Sequence, residues 1–498
     1  MTLLSAKDIC IHDGGTQLVE PLSITLEPGV PLVILGETGS GKSLFAQAIM
    51  GTLPESLSAR GEVDIGGRRI SAARPREFRG LWGRQIAVLP QEPWLSLDPL
   101  MPAARQVAEA HQLVRGLSPA EARTRAGDDL AALGLQGAGA KLPHELSGGM
   151  AQRVAIAAAR AGGAQIVIAD EPTKGLDAAR RDDVAEMLMA EVGSGGGLIV
   201  ITHDLALARR VGGQIVVLRK GRVVESGPTA DVLAAPTSDY TARLIAADPE
   251  TWQKRAPAPA GSSVVRTAGL AATRGDRELF RDVSLDIAAG QIFGITGPSG
   301  CGKSTLGDVL LGLHRPSAGR VTRTASRASA YQKLYQDPVA AFPRHQSLQR
   351  TLSDVARLHG QDPRQIEHHM ERLGLAPVLL GRKPSEVSGG ELQRLAILRL
   401  LLVRPAFIFA DEPTSRLDPI TQAEVIGLLV DTAERDGCAI MLVSHDPALV
   451  AKTADRGLSL HCPAGMQGDP DTPGRWEHGN LTKHGAAPRF AANGSHPG

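Results

Sequence analysis

The chain repeats itself, and this limits what it can fold into more than any other feature. GETGSGKS at 36–43 returns as GPSGCGKS at 297–304, and LSGGMAQR at 146–153 as VSGGELQR at 387–394. IVIADEPT at 166–173 reappears as FIFADEPT at 407–414, and ITHD at 201–204 as VSHD at 443–446. The offset is 261 residues at the first block, 241 at the next two and 242 at the last. A solenoid repeats every ~20–50 residues, so a period this long marks a duplicated domain. The second copy loses residues early and then keeps register: Lys42 to Gln91 is 49 residues, but Lys303 to Gln336 is 33. Between the copies, DPETWQKRAPAPAGSS (248–263) is rich in Pro, Ala and Ser and has no apolar periodicity, as a semi-extended linker should be. The pattern predicts domains at 1–247 and 264–462, and a disordered tail, rich in Gly, Pro and Asn, at 463–498. His478, His484 and His496 in that tail are irregularly spaced and read as solvated side chains, not metal ligands.

Charge and composition exclude several classes. Lys plus Arg is 54 against 53 Asp plus Glu, without the basic balance of a generic nucleic-acid binder. Aromatics are 3% of the chain, too few for base-stacking platforms. No apolar run approaches the ~18 residues of a membrane span, and MTLLSAKDICIHDGG lacks the plan of a signal peptide. Cys10, Cys301, Cys438 and Cys462 are scattered without CxxC spacing, which argues against a disulfide framework or a Cys-based zinc site and fits a reducing cytosol. A soluble cytosolic protein without a nucleic-acid partner is expected.

Each copy carries a phosphate cradle. PLVILG before Gly36 and QIFGITG before Gly297 are short apolar runs, as buried parallel strands should be, and SLFAQAIMGTL and STLGDVLLGLH read as helices. Between them sits G-x-x-x-x-G-K-S, whose glycines let backbone N–H groups wrap a polyphosphate at a helix N-terminus. The predicted cradles are Gly36, Glu37, Thr38, Gly39, Ser40, Gly41, Lys42 and Ser43, and Gly297, Pro298, Ser299, Gly300, Cys301, Gly302, Lys303, Ser304 and Thr305. Lys42 and Lys303 would neutralise β/γ-phosphate charge, and Ser43 and Ser304 would offer hydroxyls to Mg²⁺. The apolar strands IVIAD and FIFAD end in carboxylate pairs: Asp170 and Asp411 would sit beside the metal, while Glu171 and Glu412 could polarise a water for attack on the γ-phosphate. At Cys301 a filler is expected in preference to a redox switch.

The SGG blocks add a second anion-binding helix start in each copy, through Ser147, Gly148 and Gly149, and Ser388, Gly389 and Gly390. One nucleotide has no use for two such cradles from the same domain. In both copies 23 residues separate the SGG serine from the strand-end aspartate. This combination resembles the nucleotide-binding domains of the ABC ATPases, over about residues 1–460. The resemblance implies an α/β fold of two tandem P-loop NTPase domains. Each would have a RecA-like, mainly parallel sheet, an antiparallel β subdomain and a helical signature subdomain. It also implies ATP and Mg²⁺ as ligands. Gln91 and Gln336 look like the Q-loop glutamines, which touch Mg²⁺ and sense the membrane subunit. GLD at 175–177 and RLD at 416–418 look like D-loops, and His203 and His445 like the switch histidines that contact the γ-phosphate. The family resemblance further implies that each SGG closes over the opposite copy's phosphate loop, the two domains pairing within one chain.

Some positions depart from the family pattern. The adenine-stacking aromatic is missing from both candidate stretches, Ile11-His12-Asp13 and Thr273-Arg274, which leaves His12 or Arg274 to stack. Lys174 replaces the small residue usual beside the first D-loop. PQEPWLSLDPLMP (90–102) and PTSDYTARLIAADP (236–249) look like segments of the peptide/nickel importer ATPases, although the cysteine-rich extension of that group is missing. The reading is an ABC importer ATPase at the cytoplasmic face of the inner membrane, energising uptake of peptides, nickel or a related solute. Its partners would be two integral-membrane permeases and an extracytoplasmic solute-binding protein. The alternative is a soluble tandem ABC ATPase acting on the ribosome.

Overall fold

The computed structural model describes residues 2–174, 178–193, 195–257, 259, 261–275, 277–298, 300–460 and 478–479. Ser299, Leu176, Asp177, Cys462, His484 and His496 lie outside them. By contact density the chain divides into two compact units, Met1–Trp252 with Ser415–Glu424, and Gln253–Thr414 with Val425–Gly498.

In the first unit, β1 (Leu4–Asp13) and β2 (Thr16–Leu26) precede β3 (Leu32–Leu35), which leads into α1 (Lys42–Met50). The hairpin β4 (Leu57–Ile65) and β5 (Arg68–Ser71) is followed by β6 (Ile86–Leu89). Three helices come next, α2 (Ala103–Arg115), α3 (Pro119–Ala132) and α4 (Gly148–Arg160). Then come β7 (Ile166–Asp170), α5 (Ala178–Gly193), β8 (Gly197–Thr202), α6 (Leu205–Val211), β9 (Gln214–Arg219), β10 (Arg222–Pro228), α7 (Thr229–Ala234) and α8 (Asp239–Ala246). The central sheet runs β10-β9-β3-β8-β7-β6, and all its pairings are parallel except β10 with β9. β3 and β8 are buried along their whole length, as strands covered on both faces must be. Alternate residues feed two cores. Ile34, Ile168, Ile199 and Ile201 face α1 and the antiparallel sheet β2-β1-β4-β5. Val33, Leu35, Val167 and Val200 face α5 and α6. The helical subdomain has its own small-residue core, in which Ala122, Ala126 and Leu130 of α3 pack with Val107 of α2 and Val154 of α4.

The second unit repeats the plan. β11 (Ser263–Arg274), β12 (Arg277–Val283) and β13 (Asp286–Ala288) lead to β14 (Ile292–Thr296) and α9 (Lys303–Leu311). β15 (Ala318–Arg323), β16 (Tyr331–Leu334), α10 (Leu348–Leu358), α11 (Arg364–Arg372) and α12 (Gly389–Leu401) follow. The remainder is β17 (Phe407–Asp411), α13 (Pro419–Asp436), β18 (Ala439–Val443), α14 (Pro447–Thr453), β19 (Arg456–Ser459) and β20 (His478–Gly479). The sheet order is β16-β17-β18-β14-β19-β20, parallel up to the short antiparallel β20. The early deletion lies where the β4–β5 hairpin of the first unit is replaced by the single strand β15. His478 and Gly479 pair with Leu458 and Gly457. The linker segment is held at both ends: Arg209 of α6 bonds Asp248 in the first unit, and in the second Arg255 makes two 2.9 Å bonds to Asp455.

Candidate functional site

In each unit the glycines of the phosphate loop meet specific steric demands. A Cβ on Gly36 would sit 2.2 Å from the Leu218 carbonyl of β9, and one on Gly297 2.2 Å from that of Leu460. Gly39 (φ 82°) and Gly300 (φ 80°) are left-handed, and a Cβ on either would face open space. Gly41 (φ 99°) and Gly302 (φ 96°) cap α1 and α9. Lys42 Nζ donates to the carbonyls of Gly36 (2.7 Å) and Glu37 (2.9 Å), and Lys303 Nζ to those of Gly297 (2.7 Å) and Pro298 (2.9 Å). The Glu37 N–H donates to Tyr240 Oη, and Pro298 has none, so neither position offers an amide to a phosphate. Thr305 lies in the first turn of α9. The Cys301 side chain is buried in the second unit's core, which suits a filler.

The strand ends bring the carboxylates to the loops. Ser43 Oγ donates to Asp170 at 3.3 Å, and Ser304 Oγ to Asp411 at 3.1 Å. Burial raises the pKa of both aspartates, and these serine bonds partly oppose the shift. Glu171 and Glu412 both sit at φ 48°, a left-handed conformation that is uncommon for glutamate and repeats identically in the two units. Each is held by a histidine: His203 Nδ1 lies 2.8 Å from Glu171, and His445 Nε2 2.5 Å from Glu412. Burial pushes the Glu171 pKa up, but the His203 bond and charge together with Lys42, 3.9 Å away, leave it below its ordinary value. Burial lowers the Lys42 pKa, against the pull of Glu171 and Asp170.

Gln91 lines one cavity with Thr38, Lys42, Ser43, Glu171 and His203, and Lys174 reaches the same cavity. Gln336 Nε2 donates to Glu412 at 3.1 Å. Ser147 and Ser388 cap α4 and α12 by accepting from the N–H groups of Met150 and Glu391, both at 3.3 Å. Ser388 adds a full capping box with Glu391. Both SGG starts are mostly exposed, and among the described residues lining the Lys42 cavity none comes from 147–149. Of the D-loops, 175–177 lies outside the described residues, while Asp418 caps α13 through Thr421. His12 and Arg274 lie near the C-terminal ends of β1 and β11.

The sequence reading missed three groups. Asp204 and Asp446 follow His203 and His445 and cap α6 and α14, each accepting from two N–H groups, and the THD and SHD triplets could have signalled them. Lys333 lies 2.8 Å from Asp308 and 3.6 Å from Asp411, where the first copy has Val88. Tyr240 reaches the first loop from 203 residues away.

A parallel sheet with a glycine loop at one strand end and a serine–aspartate pair beside it defines a P-loop nucleotide-binding fold, here present twice. The chain belongs to the ABC transporter family, whose profile matches residues 19–174 and 280–415. Its peptidoglycan transport ATP-binding relative, YejF of Agrobacterium fabrum (strain C58), is 33% identical over 99% of this chain and 94% of its own. The glutathione import ATP-binding protein GsiA of Salmonella paratyphi A is 31% identical over 91% of this chain and 83% of its own. The solved RNase-L inhibitor shares the fold at a TM-score of 0.63 and 22% identity, covering 91% of this chain and 87% of that one. The chain is an ABC-type ATPase, and none of its described helices is long and apolar enough to cross a membrane.

Proposed function

We propose that this chain energises an importer of small peptide-type solutes. It would work at the cytoplasmic face of the inner membrane with two separate permeases and an extracytoplasmic binding protein. One observation carries the reading: similarity over 99% of the chain to a peptidoglycan transport ATP-binding protein, with the same site residues in both copies. Lys42 and Lys303, anchored by their loop carbonyls, would turn a remaining N–H to the β/γ-phosphates. Glu171 and Glu412, oriented by His203 and His445, would polarise the attacking water. The donors beside each loop are hard oxygens, Ser43 with Asp170 and Ser304 with Asp411, while Gln91 shares a cavity with Ser43 and Glu171 and Gln336 bonds Glu412. That sparse set suits Mg²⁺, which keeps several waters and takes substrate phosphates. When bound, Mg²⁺ neutralises phosphate charge. The pairing of each SGG with the opposite loop rests on the family resemblance. In its test, Lys42→Ala with Ser388→Arg should cost little more than either alone, whereas Lys42→Ala with Ser147→Arg should abolish turnover.

The transport reading is tested by tagging the chain in its native cell and measuring uptake of labelled glutathione, peptidoglycan peptides and Ni²⁺ in a deletion strain. Copurification with two polytopic permeases and loss of peptide uptake are expected. Loss of nickel uptake alone would move the solute to a metal. Recovery with ribosomes at physiological salt, without a permease, would overturn the importer reading.

A further inference from the structure

The peptide after the first loop glycine is built differently in the two copies. In the second it is Gly297–Pro298, and proline has no N–H to satisfy. In the first it is Gly36–Glu37, gripped from both sides: its carbonyl accepts from Lys42 Nζ at 2.7 Å, and its N–H donates to Tyr240 Oη at 3.0 Å. A peptide unit is a rigid plane, so holding the N–H also aims the carbonyl. Both copies otherwise turn alike here, Ser40 N–H donating to the Glu37 carbonyl and Cys301 N–H to that of Pro298.

Tyr240 is 2% exposed, and the Arg219 guanidinium lies 4.9 Å from its ring centroid. Its helix, α8, is pinned independently. Glu225 accepts from Thr237 N–H (2.7 Å), Thr237 Oγ1 (2.8 Å) and Ser238 N–H (3.2 Å), while Ser238 caps α8. Asp248, just past the helix, is bound by Arg209. Burial raises the phenol pKa above its ordinary value, so the hydroxyl is neutral throughout the physiological range. Among the described residues, no helix follows β19 in the second unit.

We propose that Tyr240 is a positioning residue for the first ATP site: its hydroxyl fixes the Gly36–Glu37 peptide so that Lys42 is held beneath the loop, a task that Pro298 performs in the second site. The inference rests on the first loop being an ATP cradle. It makes nucleotide affinity at that site depend on α8 near the end of the first unit, and leaves the second site independent of it. Without the hydroxyl, the Glu37 N–H loses its acceptor, the peptide turns to find another, and the Gly36 carbonyl leaves Lys42. Apparent affinity then falls by the fraction of loops still in the competent orientation.

The test is calorimetric titration of the full chain with Mg²⁺ and a non-hydrolysable ATP analogue. In Lys303→Ala, where only the first loop binds, adding Tyr240→Phe should weaken affinity by roughly tenfold, the loss expected if about one loop in ten stays competent. In Lys42→Ala, adding Tyr240→Phe should change nothing. Adding Glu37→Pro to Tyr240→Phe in the Lys303→Ala chain should restore affinity, because the orphaned N–H is then gone. That rescue separates positioning from a general loss of folding. Unchanged affinity in Lys303→Ala, equal loss in both backgrounds, or no rescue by proline would each overturn the proposal. If Lys303→Ala without the tyrosine change fails to bind the analogue, the cradle reading itself falls.

Discussion

Where α9 crosses β17 in the second unit, the two copies have solved one packing problem with different pairs. A Cβ on Gly307 would lie 2.1 Å from Cζ, 2.2 Å from Cε1 and 2.4 Å from Cε2 of Phe409, whose side chain is fully buried. The corresponding pair in the first unit is Ala46 with Ile168, both buried in one core. A larger strand residue thus accompanies a smaller helix residue. Gly307→Ala should gain at most ~1 kcal/mol of helix propensity and lose ~3 kcal/mol to overlap, because the ring cannot retreat from a close-packed site. The net is a destabilisation of about 2 kcal/mol, or a fall in Tm of about 4–8 °C for a unit of this size. Phe409→Ile alone should cost ~1–2 kcal/mol for the cavity it leaves, and it also removes the ring 5.4 Å from the Lys333 ammonium. In the double variant the new methyl enters that cavity, so it should be no less stable than Phe409→Ile, a favourable coupling of about 2 kcal/mol. Calorimetry gives the global values. Hydrogen-exchange mass spectrometry of peptides covering α9 and β17 localises them. Additivity within ~0.5 kcal/mol would refute the reasoning, because it would mean that the glycine is not there to admit the ring.

Glu171→Gln with Glu412→Gln should keep ATP binding and lower steady-state turnover at least ~100-fold, the scale of a lost general base; parental turnover would reject these residues as the bases. Arg255→Ala should destabilise the second unit by ~3 kcal/mol in denaturant titration, since the largely buried Asp455 carboxylate (side chain 4% exposed) loses both of its guanidinium bonds. Burial first, then His368 and Arg372, lower the pKa of His369 to about 4, with Asp436 opposing and Arg404 assisting. The unfolded chain therefore takes up this proton first. The His369 contribution to stability is complete above about pH 6.5 and is lost as pH falls towards 4. In His369→Gln the slope of stability against pH in that window should flatten, and an unchanged slope would assign it to other groups.

Much of the site was legible in the sequence, because its chemistry is written in short contiguous segments. A loop that wraps phosphate needs glycine at fixed spacing, a hydroxyl at a helix start and a carboxylate at a strand end, and each demand falls on a few adjacent residues. Their recurrence in register removed chance as an explanation, and it carried the sheet-and-helix order with it. The sequence alone therefore determined the duplicated fold, the glycine loops ahead of Lys42 and Lys303, and the carboxylate pairs at 170–171 and 411–412. Other features were decided by tertiary structure. The left-handed Glu171 and Glu412 stand just past β7 and β17, where their N–H groups bond Ile201 and Val443 of the neighbouring strands. The histidines meet them through different ring nitrogens, which no spacing records. Lys333 near Asp411, the Gly307–Phe409 fit and Tyr240 on the first loop join residues that are far apart in the chain. Local propensity says nothing about such contacts, because they exist only once the sheet has brought distant backbone together and burial has made an unpaired N–H or a single extra methyl costly.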